Sequence, residues 1–226
     1  MTESTARFVL ETQAIRVLER YGIPYPRHGL ARSPEEAARI ANDLGYPVVL
    51  KVVSPDVVHK SDAGGVVVGV GDGKLVRTAY ERISDGVQAA VPRARIEGVL
   101  VCEQAPEGFE VIVGGLDDPA FGPIVMFGLG GIFTEVHKDV AFRIAPLDRR
   151  DAEDMVREIE AYPLLTVTGA RGQPSYDLNA AADLLLSVSR LLLEHREIVE
   201  LDLNPVRLYH KGLLVLDARI AASDVG

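Results

Sequence analysis

The chain has 226 residues, 47% of them hydrophobic and 25% charged, and a net charge of −9. This is the balance of an ordinary globular protein, long enough for one large core or two smaller lobes. Its acidity argues against a nucleic-acid surface or an anionic membrane as partner. The single cysteine, Cys102, excludes an intramolecular disulfide and a cysteine-based zinc cluster, and its apolar neighbours mark it as a buried structural thiol.

Residues 5–20 place Phe8, Ala14, Ile15, Val17 and Leu18 at helical spacing, and Gly22 with Pro24 stops that helix. A short extended connection follows over 24–30. Ser33, Pro34 and Glu36 combine an N-cap, a proline at the first helical position and a capping-box glutamate, predicting a helix to Leu44 that ends at Gly45. Strands are predicted over 47–53 and 65–70, a helix over 74–90, and strands over 96–104, 109–115, 122–127 and 141–145. Asp148 caps an acidic helix, a short apolar helix lies around Leu164, residues 171–174 form a loop, and Asp177 caps a long helix through Leu193. Two strands, 197–203 and 213–218, close the chain through Asn204-Pro205 and a Lys211-Gly212 turn. Helices packed on mixed sheets with short strand connections predict α+β lobes, with a hinge strand near 98–108. No apolar stretch reaches membrane-span length, and the start, MTESTARFVLETQ, lacks the basic and hydrophobic regions of a signal peptide, so the expected location is the cytoplasm.

Two stretches carry chemistry. The first is PVVLKVVSPDVVHKSDAGGVVVGV, in which Lys51 lies inside an apolar β-branched run and a polar turn, with His59, Lys60, Ser61 and Asp62, leads to Gly64-Gly65. A lysine in a strand can snorkel at an edge, and a glycine pair can simply make a tight turn. The same residues also suit a β-flap over a phosphate chain, with backbone N–H groups forming an anion-binding concavity and ammonium groups adding charge. The second is Val199–Asn204, where a two-residue period puts Glu200, Asp202 and Asn204 on one strand face, with Asp217 and Arg219 expected in the next strand, 214–220. Hard oxygen donors on adjacent strands suit Mg²⁺ that also takes phosphate oxygens and water, although alternating carboxylates also make an ordinary solvated face.

These residues carry a resemblance. The stretches PVVLKVVSPDVVHKSDAGGV, EGFEVIVGGLDDPAFGPIVMFGLGGIFTEVHKDVAFRIAPL and VELDLNPVRLYHKGLLVLDARI, in this order, resemble the ATP-grasp β subunit of ADP-forming acetate–CoA (acyl-CoA) ligases, relatives of succinyl-CoA synthetase. The resemblance implies an α+β ATP-grasp fold over 1–226, two α/β lobes clamping a nucleotide. The lobes would be 22–104 with the flap, preceded by a helix over 1–21, and 105–226 with the Mg/phosphate site. It implies Mg²⁺ and ATP/ADP as cofactors, and as partner a CoA-binding α subunit, in an α2β2 assembly.

Residue by residue, it makes Lys51 the strand lysine that reaches ATP phosphates, and the loop 59–65, with Lys60, Ser61, Gly64 and Gly65, the flap over them. Glu103, Gln104 and Ala105 would meet the adenine, and Glu110 would be the acidic residue near the nucleotide. Asn204 and Asp217 would hold Mg²⁺, with Asp202 a further ligand or one step behind. Arg143 and Lys138 would touch phosphate. His59 would bind phosphate and act as a relay for a phosphohistidine carried by the α subunit, whereas His28, His195 and His210 are expected to be locally satisfied and nothing singles out His137. The activity implied is phosphoryl transfer within acyl-CoA + ADP + phosphate ⇌ acid + CoA + ATP. The alternatives are another ATP-grasp carboxylate ligase, joining an acid to an amine, and a nucleotide-sensing subunit without turnover.

Overall fold

The computed structural model describes residues 6–57, 59–131, 139–166 and 175–223. Lys138, His137 and the 171–174 loop lie outside them. The chain divides into two units, each an antiparallel sheet with helices and each with its own hydrophobic cluster.

The smaller unit comprises Leu10–Gln13 and Pro26–Pro106. Its four strands are β2 (His28–Ala31), β3 (Val48–Val53), β4 (Val66–Val70) and β5 (Gly98–Glu103), in the order β2-β5-β3-β4. The helices α2 (Pro34–Leu44) and α3 (Gly73–Ala90) supply Ala37, Ala38, Ala41, Val76, Ile83 and Val87 to a core shared with Val48, Leu50, Val52, Val99 and Val101. Alternation along β3 therefore turns Leu50 and Val52 toward the helices and Lys51 to the other face. Ser33 caps α2 as expected, its Oγ accepting from the Glu36 N–H at 3.1 Å. The glutamate reaches one residue further back than a capping box requires, its Oε2 accepting from the Arg32 N–H.

The larger unit comprises Met1–Val9, Ala14–Tyr25 and Glu107–Gly226. Its sheet runs β1 (Arg7–Phe8), β11 (Ala218–Ala222), β9 (Ile198–Leu208), β6 (Phe109–Asp118), β7 (Gly122–Leu129), β8 (Val140–Ile144), with β10 (Leu213–Val215) paired to β9 beside β11. The helices are α4 (Arg149–Glu158), α5 (Tyr162–Thr166) and α6 (Leu178–Glu194), and Met155, Leu165, Leu185 and Leu191 pack with Val111, Val113, Phe127 and Leu203. Helix α1 (Glu11–Arg20) belongs to both units: its first turn clusters with the smaller one, and Ala14 and Leu18 enter the larger core.

Three sequence expectations change. The first helix starts at Glu11, because Phe8 pairs instead with Ala221 in a strand whose partner lies at the other end of the chain. Asn204-Pro205 does not end a strand: β9 continues to Leu208, and an irregularity opposite Val111–Val113 accommodates the proline, which has no N–H for the ladder. Asp217 is not in a strand; with Leu216 it forms the break between β10 and β11. No helix among the described residues is long and apolar enough to cross a membrane.

Candidate functional site

In the smaller unit, the loop after β3 folds into one helical turn that reverses the chain. The Gly64 N–H donates to Ser61 O at 3.1 Å and the Gly65 N–H to Lys60 O at 2.7 Å, and Gly64 takes a φ of 67°. This is a Schellman closure, in which the residue with positive φ is best supplied by glycine. The Val52 N–H then donates to Gly65 O at 2.7 Å, docking the turn on β3. The two glycine N–H groups are thus used inside the turn, and the anion-binding concavity expected of them is not formed by these donors. Ser61 and His59 are exposed on the turn.

Cationic groups converge beneath it. Lys51 Nζ lies 2.9 Å from Glu11 Oε1, and Lys60 Nζ lies 3.0 Å from Glu11 Oε2. The Glu11 side chain is 2% exposed, and those of Lys51 and Lys60 are 10% and 12% exposed. A lysine so buried is tolerable when an opposite charge meets it with a hydrogen bond. The sequence singled out both lysines; it gave no hint of Glu11, which reads as an ordinary acidic residue in the first turn of a helix.

The segment expected to meet a base is tied into the same unit. Glu103 accepts from Arg27 Nε at 2.8 Å, the Gln104 N–H donates to Pro47 O, and Gln104 Oε1 accepts from the Gly69 N–H at 2.8 Å. Ala105 is buried.

In the larger unit, β9 alternates as expected: Leu201 and Leu203 are buried in the core, and Glu200, Asp202 and Asn204 line the opposite face. Register places Arg219 across from Asp202, with Nη1 at 3.8 Å from Asp202 Oδ2. The Asn204 N–H donates to the Asp217 carbonyl at 3.2 Å, so these two residues face each other at the strand break. Burial pushes the Asp202 carboxyl above its ordinary pKa; Arg219 pulls it back, while Asp217 and Glu200 push it up further. The acids therefore share one field, which a cation would relieve.

Among the described residues no three His, Cys, Asp or Glu side chains gather into a ready-made metal cage. Mg²⁺ is ordinarily held by one or two carboxylates together with phosphate oxygens and water. An acid–amide pair beside a further carboxyl fits an ion that arrives with phosphate.

Glu110 pairs across the sheet with Arg207, whose Nε and Nη2 both donate to Glu110 Oε1, at 3.0 and 2.9 Å. Gly130 lies directly on this strand, its N–H donating to Glu110 O at 2.9 Å; a Cβ there would fall 2.8 Å from backbone atoms of Glu110 and Val111.

Arg143 is not brought to this group. Register sets it beside Val125 on the helix-covered face of β8, and its Nη2 donates to Glu158 of α4 at 2.6 Å. The remaining histidines are satisfied locally: His28 Nδ1 by Pro26 O, His195 Nδ1 by Glu197, and His210 by stacking on Tyr176.

Comparison with known proteins is decisive. The ATP-grasp domain family matches residues 1–222. The β subunit of acetate–CoA ligase [ADP-forming] I of Pyrococcus furiosus is 46% identical over 214 residues, spanning 95% of this chain and 91% of that one. The chain belongs to the ATP-grasp β subunits of the ADP-forming acetate–CoA ligases. A second family member, acetate–CoA ligase [ADP-forming] I of Archaeoglobus fulgidus, is 51% identical over 99% of this chain, which spans 32% of that longer protein.

The family's solved structures agree with the fold. The dinucleotide-forming acetyl-coenzyme A synthetase 1 of Ca. Korarchaeum cryptofilum, in complex with coenzyme A and Ca-AMPCP, matches with a TM-score of 0.91 and 51% identity, covering 96% of this chain and 93% of that one. Another complex of the same enzyme holds Mg-AMPPCP, with a phosphohistidine segment pointing towards its nucleotide-binding site (TM-score 0.82, 47% identity, 96% and 93% covered).

Proposed function

We propose that this chain binds Mg·ADP or Mg·ATP and carries the phosphoryl step of acyl-CoA + ADP + phosphate ⇌ acid + CoA + ATP. The phosphoryl group would pass between the nucleotide and a histidine of a CoA-binding partner subunit. In the ATP-forming direction the histidine N–P bond breaks as an O–P bond forms to the terminal phosphate of ADP. The observation that carries this reading is the convergence of Lys51 and Lys60, from a strand and a loop, onto one buried carboxylate.

Phosphoryl transfer asks a protein mainly for position and charge neutralisation. Lys51 and Lys60 hold phosphate oxygens, and the 59–65 turn, with His59 and Ser61 exposed on it, covers them. Glu103, Gln104 and Ala105 meet the base, and Glu110, held by Arg207, presents a fixed charge. Asn204 and Asp217 are the residues that would hold Mg²⁺, with Asp202 behind them; the ion, when bound, neutralises charge on the phosphate oxygens. Arg143 has no part in this reading, since Glu158 holds its guanidinium.

Calorimetric titration of Mg·ADP and Mg·ATP into the purified chain, beside Lys51→Ala and Asp217→Ala, tests the site. Binding that requires Mg²⁺ and weakens about tenfold or more in each variant is expected. Equal binding by wild type and both variants would overturn the assignment. Nucleotide binding without turnover once the partner subunit is added would favour a sensor over a ligase subunit.

A further inference from the structure

Glu11 has no role in the chemistry above, yet it is among the most enclosed charged residues of the smaller unit. It joins three pieces of chain: the first turn of α1, the centre of β3 and the turn at 59–65. Two ammonium groups brought together in a poorly solvated place repel each other strongly, because little water is present to screen them. One carboxylate with a lysine on each oxygen removes that obstacle and fixes where both nitrogens sit. An ammonium has three N–H donors, so a bond to Glu11 and bonds to phosphate oxygens are compatible on the same nitrogen.

We propose that Glu11 is a positioning residue for the phosphate chain of the nucleotide. It holds Lys51 and Lys60 on the two oxygens of one carboxylate before the ligand arrives, and acts through the lysines without touching the nucleotide. The proposal rests on the reading that these lysines bind phosphate. Through Lys60, Glu11 ties the 59–65 turn down at a second point besides the Val52–Gly65 hydrogen bond. Pre-arranged groups lose less freedom on binding than groups that must be gathered by the ligand.

The test uses the full chain as wild type, Glu11→Gln, Lys60→Gln and the double variant. Two quantities are read: the Kd for Mg·ADP, and the rate at which trace acetic anhydride acylates Lys51 and Lys60 in the free protein, with exposed Lys74 as internal standard. Both lysines should react slowly in the wild type and several-fold faster in Glu11→Gln. The Kd of Glu11→Gln should rise roughly tenfold or more. In the Lys60→Gln background the same substitution should cost much less, since one of the two arms it acts through is gone.

Unchanged labelling in Glu11→Gln, or an equal loss of affinity in both backgrounds, would overturn the proposal, because a role in the fold alone predicts additive loss. Should Glu11→Gln fail to fold, Glu11→Asp keeps the charge on a shorter arm, and wild-type binding by that variant would equally overturn it. If the wild type bound no nucleotide, the functional reading would fall by itself. Labelling would then still decide whether Glu11 gathers the lysines.

Discussion

Gly65→Ala isolates the packing that holds the 59–65 turn in place. A Cβ at this position would sit 2.5 Å from Val52 Cγ1 and 2.9 Å from Lys60 O. Neither neighbour yields easily: Val52 is fully buried and stiff about χ1, and Lys60 O is backbone already bonded to the Gly65 N–H. The turn must therefore lift from β3, stretching the 2.7 Å bond from the Val52 N–H to Gly65 O. Overpacking of this kind costs about 1–3 kcal/mol, and a weakened backbone hydrogen bond adds about 1 kcal/mol, giving an expected loss of about 2–4 kcal/mol. Urea denaturation followed by circular dichroism measures the loss, and hydrogen exchange at the Val52 amide should accelerate with it.

Val52→Ala removes the nearer clash, so the cost of Gly65→Ala should fall by about 1 kcal/mol or more in that background. A Gly65→Ala variant within about 0.5 kcal/mol of wild type would refute the reasoning. An identical cost with and without the Val52 methyls would refute that contact as its cause.

Two acids on the larger unit should respond to pH in opposite senses. Burial, aided by Asp217 and Glu200 against Arg219, holds Asp202 above its usual pKa, so its contribution to stability is complete below the ordinary carboxylate range and fades as pH rises through the raised value. Asp202→Asn should therefore melt higher than wild type at pH 7, with the difference closing below about pH 4. Asp177 is lowered, first by the Gly212 N–H and then by the Ala180 N–H that it caps, so its contribution is present above the ordinary carboxylate pKa and is lost as pH falls through the depressed one. Asp177→Ala should cost about 1–2 kcal/mol at pH 7, as expected for a lost N-cap, and that cost should shrink in acid.

Local signals carried much of this fold. Ser33-Pro34 fixed the start of α2 because cap and proline act within one turn, and the two-residue period of Glu200, Asp202 and Asn204 survived folding because β9 has one face in the core. What failed to show was decided by distant partners. Phe8 fits a helical stripe, but Ala221 claims it for a strand. Asn204-Pro205 looks like a terminus until pairing with β6 is seen to resume beyond it, at Val206. Arg143 is one basic residue among many until register gives it Glu158. Lys51 and Lys60 stood out as charges in unusual company, whereas Glu11, in an unremarkable helix turn, is marked out by its pairing with residues about 40 to 50 positions away.

The smaller unit is not one continuous stretch of sequence, since four residues from near the amino end belong with 26–106. A gene fragment cut at the boundary that compactness suggests, residues 26–106, would encode every strand of its sheet, both of its packed helices and both lysines. It would leave behind Glu11. Such an excised piece, or a chimaera spliced at residue 26 onto an unrelated amino terminus, would inherit two neighbouring ammonium groups without the carboxylate that reconciles them. Any exchange of this unit between proteins has to carry the helix start along with it.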